Sequence, residues 1–310
     1  MLNKGKIIST NISAKIGTEK QSVTEINLNE NGVVNDSHAG FKNRNVSLLA
    51  IESIERFNAK TKMQIKPGEF AENITLSNIE LTKTKLLDRF LINKVLLEVT
   101  QIGKKCHGEG CKIFQQVGKC AMPTEGIFCR ALKSGSIKAG DDVEYLPRTM
   151  QVKIITLSDR AHKGEYQDLS GKIAQQQVKN FLAQNNWQQN ITTELLPDDK
   201  KQLKKSLIAA KNENINVVFT LGGTGISLRD ITPEVVVEVA DKIIPGIMEN
   251  IRVKYGKTIP SALLSRSVAA IAGNTLIYTL PGSVKAVKEY LSEIFFTLEH
   301  AVYMLHDLGH

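Results

Sequence analysis

The spacing of apolar positions divides the chain into two halves. In the first half, Lys6 to Ile12 and Val23 to Leu28 are β-rich with partial alternation, and Lys94 to Thr100 is a third such run. Turn residues separate these runs at Asn31-Gly32, Lys66-Pro67-Gly68 and Ala139-Gly140-Asp141. Ser47 to Phe57 predicts a single helix. Regular strands with few helices point to a mainly-β domain over residues 1–148, a barrel or a sandwich.

After Leu146-Pro147-Arg148 the pattern changes. Val152 to Leu157 is a compact apolar strand, followed by a helix from Ser170 to Gln184 with Ala174, Val178, Phe181 and Leu182 on one face. Leu195-Leu196 leads to a helix over about 199–211. Val217 to Leu221 and Thr275 to Leu280 read as further buried strands. The last of them runs into a long helix carrying Val287, Leu291, Ile294, Phe295, Leu298, Val302 and Leu305 at helical spacing. Strand–helix alternation predicts βαβ units, a mostly parallel sheet and an α/β domain over residues 149–310. Ligands of such folds bind beyond the carboxyl ends of the strands.

Composition narrows the class. The chain has 310 residues, a length that fits two domains, with 42% hydrophobic and 23% charged residues. No apolar run long enough to span a bilayer is present, and Met1 to Lys6 lacks the apolar segment of a signal peptide. The expectation is a cytoplasmic protein with no membrane partner. The net charge of +8 favours anionic partners. No basic block or aromatic–basic nucleic-acid motif is present, so no nucleic-acid partner is expected; the charge fits a phosphate-bearing small molecule at least as well without selecting one.

The second half supplies candidate chemistry for such a ligand. A strand ending at Leu221 runs into Gly222-Gly223-Thr224-Gly225, a loop whose glycines allow close backbone approach and whose N–H groups suit an anion. The loop lacks the Lys-Ser/Thr of a P-loop. Thr232-Pro233-Glu234 reads as a capped helix start. Other strand ends deliver Ser158-Asp159-Arg160, Leu196-Pro197-Asp198 and Pro281-Gly282-Ser283, and Ser265-Arg266 adds a hydroxyl and a fork-shaped cation. Asp198 has two readings from spacing, a helix cap shared with Asp199 or a functional carboxylate. Asp230 likewise caps, pairs with Arg229, or acts on a ligand.

Taken in order, Ser158-Asp159-Arg160, Leu196-Pro197-Asp198, the run from Thr220 to Glu234, Leu264-Ser265-Arg266 and Leu280-Pro281-Gly282-Ser283 resemble the MogA/MoaB family, relatives of the gephyrin G domain. That resemblance covers about residues 151–310. It implies a three-layer α/β fold, a homotrimer, and Mg²⁺- and ATP-dependent adenylylation of molybdopterin with release of pyrophosphate. It assigns Asp198 and Asp230 to catalysis and Mg²⁺. It assigns Ser158, Asp159, Gly222, Gly223, Thr224, Gly225, Ser265, Arg266, Pro281, Gly282 and Ser283 to the pterin and nucleotide. Many relatives carry Asn where Ser283 stands.

The first half contains Gly32 to Gly40, Arg44 to Leu49, Lys66 to Ile74 and Leu97 to Gln101, and over about residues 4–146 it resembles the MOSC domain, a barrel-like module. The resemblance implies a domain that binds the molybdenum cofactor or carries sulfur on a cysteine. All four cysteines, Cys106, Cys111, Cys120 and Cys129, fall in one window, which suits thiol or metal chemistry. Lys104, Lys105 and Lys119 favour thiolates nearby. Cys106, Cys111 and Cys120 are candidate sulfur carriers or molybdenum ligands. A zinc site with His107, or inert thiols, are the alternatives, and Cys129 reads as core. His38 and Glu72-Asn73 are either ligand contacts or turn and loop ties. The fusion reading is thus cofactor biosynthesis with small-molecule substrates, and molybdenum-insertion or molybdoenzyme-maturation proteins as partners. The rival readings are a non-catalytic cofactor carrier and a sulfur-transfer protein centred on the MOSC half.

Overall fold

The computed structural model describes residues 3–104 and 120–308, and the chain forms two compact units, Met1–Arg148 and Thr149–His310.

Unit 1 contains strands β1 (Lys4–Ile12), β2 (Gln21–Val23), β3 (Glu25–Asn29), β4 (Gly32–Val33), β5 (Val46–Ala50), β6 (Ile74–Ser77), β7 (Arg89–Ile92), β8 (Val95–Ile102), β9 (Ile127–Lys133), β10 (Gly135–Lys138) and β11 (Asp142–Leu146), with helix α1 (Ile51–Thr61) after β5. The main sheet runs β11-β7-β8-β9-β5-β6-β1-β2, and pairing of β1 with β11 closes it into a barrel. A small sheet, β10-β3-β4, accompanies it. Ile7, Leu48, Ile74, Phe90, Leu97, Val99 and Ile127 fill the main core.

The helix expected over Ser47–Phe57 begins later, at Ile51. The preceding residues form β5, which is buried along its whole length. Leu48 enters the main core, while Leu49 joins a second cluster with Ile54, Phe70, Met122 and Phe128. A strand buried on both faces loses its period of two, so its apolar run merges with the helix behind it.

Unit 2 contains β12 (Thr149–Leu157), α2 (Leu169–Gln184), β13 (Gln188–Leu196), α3 (Lys200–Asn212), β14 (Val217–Leu221), α4 (Thr232–Val239), β15 (Lys242–Ile243), α5 (Pro245–Gly256), β16 (Ala269–Ala272), β17 (Thr275–Leu280) and α6 (Val284–Leu305). The sheet is mixed, in the order β13-β12-β14-β17-β16-β15. The first four strands are mutually parallel, whereas β16 runs antiparallel to β17 and β15 antiparallel to β16. The antiparallel margin arises because β16 and β17 are joined by a tight turn at Gly273-Asn274, which leaves no room for a crossover helix.

Ile155, Leu157, Val218 and Ile277 pack with Leu203 and Leu207 of α3 and Val235 and Val236 of α4. The alternate residues Ile154, Phe219 and Tyr278 are also buried, with the Phe219 and Tyr278 rings stacked at 5.6 Å. Helices α2 and α6 pack together and reach β12 and β17, and Phe181 stacks on Phe295 at 4.3 Å. Strand β13, absent from the sequence expectation except for its last two residues, is a polar edge strand. Only Leu196 at its end is buried, and the polar residues before it carry little apolar signature.

Candidate functional site

The parallel register sets four chain exits on one edge of the sheet. Leu157 lies beside Leu196, Thr156 beside Leu221, and Leu221 beside Leu280. Ser158, Pro197-Asp198, Gly222 and Pro281 therefore leave the sheet from neighbouring strand ends, the position where open α/β sheets bind ligands.

The loop after β14 is shaped by its glycines. Gly222 and Gly223 take φ of 103° and 64°. A Cβ on Gly222 would lie 2.5 Å from the Leu157 carbonyl oxygen, and one on Gly223 would lie 2.4 Å from Thr232 Oγ1. Thr232 closes the loop: its Oγ1 donates to the Gly222 carbonyl at 2.9 Å and its N–H to the Gly223 carbonyl at 3.0 Å. Thr232 is thus the first residue of α4 and a loop tie, where a capping side chain had been expected; Ile231 occupies the cap position. Among the described residues, the backbone N–H groups of Gly223, Thr224, Gly225 and Ile226 donate to no protein acceptor. Consecutive unspent N–H groups at a strand-to-helix turn form an anion cradle.

The carboxylates have distinct tasks. Asp199 caps α3 by accepting from Gln202 N–H at 2.8 Å, which leaves Asp198 outside that role. Asp198 N–H donates to Asp159 Oδ1 at 3.0 Å, and Asp159 N–H donates to Asp198 Oδ2 at 3.3 Å, lacing the ends of β12 and β13 together. Arg229 pairs with Asp159, not with the adjacent Asp230. Asp230 Oδ2 accepts from Ser227 N–H at 2.8 Å. Among the described residues, neither Asp198 nor Asp230 has a Lys or Arg side chain on its carboxylate. The Asp198 carboxyl titrates above its ordinary range, first through burial and then through the negative charge of Asp230. Two mutually repelling carboxylates beside an anion cradle suit a divalent cation that also binds phosphate oxygens.

The remaining expected contacts serve the frame as well as the rim. Ser158 accepts from Ala161 N–H at 3.2 Å and meets Tyr166 OH at 2.8 Å. Gly282 lies against Gly222, with room for a Cβ only 3.4 Å from the Gly222 Cα, so the two glycine turns touch. Ser283 caps α6 by accepting from Ala286 N–H at 3.3 Å. Ser265 Oγ accepts from Tyr290 OH at 2.9 Å. The Arg266 guanidinium is directed at the glycine loop: Nε donates to the Gly225 carbonyl at 2.6 Å and one terminal nitrogen to the Asp230 carbonyl at 2.7 Å, while the other pairs with Glu234.

A family model described as a probable molybdopterin binding domain matches residues 153–300, and a MOSC domain model matches residues 35–144. The molybdopterin adenylyltransferase of Helicobacter pylori strain J99 is 38% identical over 156 residues, which are 50% of this chain and 87% of that protein. The chain belongs to the molybdopterin-binding-domain family, with a MOSC domain preceding the family domain. The molybdopterin adenylyltransferase of Escherichia coli K12 is 33% identical over 147 residues, 47% of this chain and 74% of that protein. The Drosophila melanogaster molybdenum cofactor synthesis protein cinnamon is 37% identical over 155 residues, 50% of this chain and 25% of that protein.

Within the molybdopterin-binding domain, sequence reasoning missed the tie that Thr232 makes across its own loop, and the work of Arg229, Glu234 and Tyr290, whose contacts bridge distant segments and leave no local pattern. A polar cleft of about 470 Å³, lined by residues including Gln151, Lys153, Asn190, Glu194 and Glu213, lies toward the opposite ends of the strands and contains none of the expected residues. In the MOSC domain, Cys106, His107 and Cys111 lie outside the described residues. Cys120 is half-buried against the cluster containing Phe70 and Met122. Cys129 is fully buried, and burial with the nearby Glu98 charge pushes its thiol pKa well up. The described residues hold no cluster of three or more metal-ligating side chains. His38 lies in a turn with its N–H donating to Asp36 at 3.0 Å, and Asp36 is paired with Lys20 in the interior. Asn73 is a tie: it accepts from Ser47 N–H at 3.1 Å and donates to the Asn11 carbonyl at 3.2 Å. Glu72 is buried, with one oxygen accepting from Gly68 N–H and Thr75 and the other without a partner in the described structure.

Proposed function

We propose that unit 2 transfers an adenylyl group from Mg-ATP to the phosphate of molybdopterin. The observation that carries this reading is the placing of two carboxylates without cationic partners, Asp198 and Asp230, beside four unspent backbone N–H groups at Gly223 to Ile226. Two relatives that match over most of their length are named for that activity. In the reaction an oxygen of the pterin phosphate bonds to the α-phosphorus of ATP. The bond from that phosphorus to the bridging oxygen breaks, and pyrophosphate leaves with the electron pair. No side-chain nucleophile is needed, because positioning and charge stabilisation carry such transfers.

The donor set fits Mg²⁺, which binds through one or two carboxylates together with substrate phosphates and water. Bound there, it would neutralise the phosphates and make α-phosphorus more electrophilic. The N–H groups of the glycine loop hold phosphate oxygens, and Gly282 and Ser283 frame the neighbouring turn. For the MOSC domain we propose cofactor binding or sulfur carriage, with Cys106, Cys111 and Cys120 as the residues to test. The decisive variants are Asp198→Asn and Asp230→Asn. Each is expected to keep the fold and lose most formation of adenylylated pterin; wild-type turnover in both would remove the assignment.

A further inference from the structure

We infer that Arg266 is a positioning residue that sets the direction of the loop N–H groups and the place of Asp230, and does not itself bind a phosphate. The inference rests on the adenylyl-transfer reading for its catalytic readout and on geometry for the rest.

Three bonds leave Arg266 for one loop and a fourth for the helix that follows it. Its N–H donates to the Thr224 carbonyl at 2.9 Å, its Nε to the Gly225 carbonyl at 2.6 Å and a terminal nitrogen to the Asp230 carbonyl at 2.7 Å, and Glu234 at the start of α4 holds the other terminal nitrogen. In a planar trans peptide the carbonyl and the following N–H point in opposite directions. Drawing the Thr224 and Gly225 carbonyls onto Arg266 therefore turns the N–H groups of Gly225 and Ile226 away from it. These are two of the four unspent donors of the cradle. The hold on the Asp230 carbonyl fixes the backbone from which the second carboxylate projects.

Arg266 is itself anchored on both sides. Ser265 Oγ is bonded by Tyr290 OH at 2.9 Å, and the Ser267 carbonyl accepts from Arg252 at 3.0 Å. A fork is required here: Nε and two terminal nitrogens reach three acceptors on different residues at fixed angles. A lysine ammonium cannot reproduce that planar geometry. With three of its nitrogens committed to the loop and Glu234, the side chain is a brace between α4 and the turn.

The test compares Arg266→Ala, Arg266→Lys and Glu234→Ala in the full chain. Adenylylation kinetics are measured with Mg-ATP and molybdopterin, together with hydrogen exchange of the amides of Ser227, Asp230 and Thr232, which are bonded within this loop. Both Arg266 variants should lose about 10²-fold in kcat/KM, as for a misplaced catalytic frame. Lysine should rescue nothing, and those three amides should exchange faster while β14 stays protected. Glu234→Ala should weaken activity in the same direction. Full activity in Arg266→Lys, or tighter ATP binding in Glu234→Ala, would mean that the cation serves the ligand directly and would overturn the inference. Unchanged exchange in Arg266→Ala would do the same. The exchange result needs no turnover, so it decides the positioning role even if the wild-type protein forms no adenylylated product.

Discussion

Gly223 and Thr232 are coupled through the Thr232 hydroxyl, and their coupling can be measured. Gly223 sits at φ 64°, and a Cβ there would lie 2.4 Å from Thr232 Oγ1. That hydroxyl is buried and bonded to the Gly222 carbonyl. Gly223→Ala has two costs. The left-handed conformation costs a non-glycine residue roughly 1–2 kcal/mol. Displacing Thr232 Oγ1 breaks its bond and leaves a carbonyl unsatisfied, about 1–3 kcal/mol more. Thr232→Ala loses the same bond without the backbone term. The double variant removes the clashing oxygen, and the next nearest atom, Thr232 Cβ, is at an ordinary 3.5 Å. Its total should therefore equal that of Gly223→Ala alone, giving a coupling of about 1–3 kcal/mol in a double-mutant cycle. Urea denaturation of the three variants and the parent measures it. Strict additivity would refute the claim that Gly223 is glycine because of Thr232.

Three further outcomes are expected. Burial raises the Glu72 pKa from 4.5 to about 7. Its protonated form is thus favoured on folding, its contribution is fully present below pH 4.5, and about 3 kcal/mol is lost as pH rises through 7. Glu72→Gln should flatten the fall in MOSC-domain stability between pH 5 and 7.5, and an unchanged slope would exclude Glu72 as its source. Asp230→Asn removes the charge that helps raise the Asp198 pKa. NMR titration of the Asp198 carboxyl should show it ionising at lower pH in that variant, and a pKa that does not fall would show that the two carboxylates do not interact. Cys129, buried with a raised pKa, should resist iodoacetamide at pH 8 in the native protein; rapid labelling of Cys129 by mass spectrometry would contradict its place in the core.

Much of this architecture could be read from residue order. The apolar strands Val217–Leu221 and Thr275–Leu280 and the helices after Asp168 and Ser283 announce themselves through runs, caps and helical spacing, because each is decided by local burial. Strand β13 leaves little trace in the residue order, since an edge strand needs no apolar alternation. The apolar run of strand β5 merges with the helix behind it because both of its faces are buried. At the site, the residue types at the strand ends were visible, whereas their division of labour was not. Asp198 is tied to Asp159, 39 positions away, which leaves the cap of α3 to Asp199, and Arg266 is turned to the loop by acceptors 36 and 41 positions away. Such contacts have no signature within one segment of sequence.

The central claim is most directly tested by incubating the purified chain with molybdopterin, ATP and Mg²⁺ and following adenylylated pterin by mass spectrometry and pyrophosphate by a coupled assay. Both products should appear in equal amounts, require Mg²⁺, and be lost in Asp198→Asn. Tight molybdopterin binding with no adenylylated product under these conditions would contradict the account and leave the chain a carrier of the pterin.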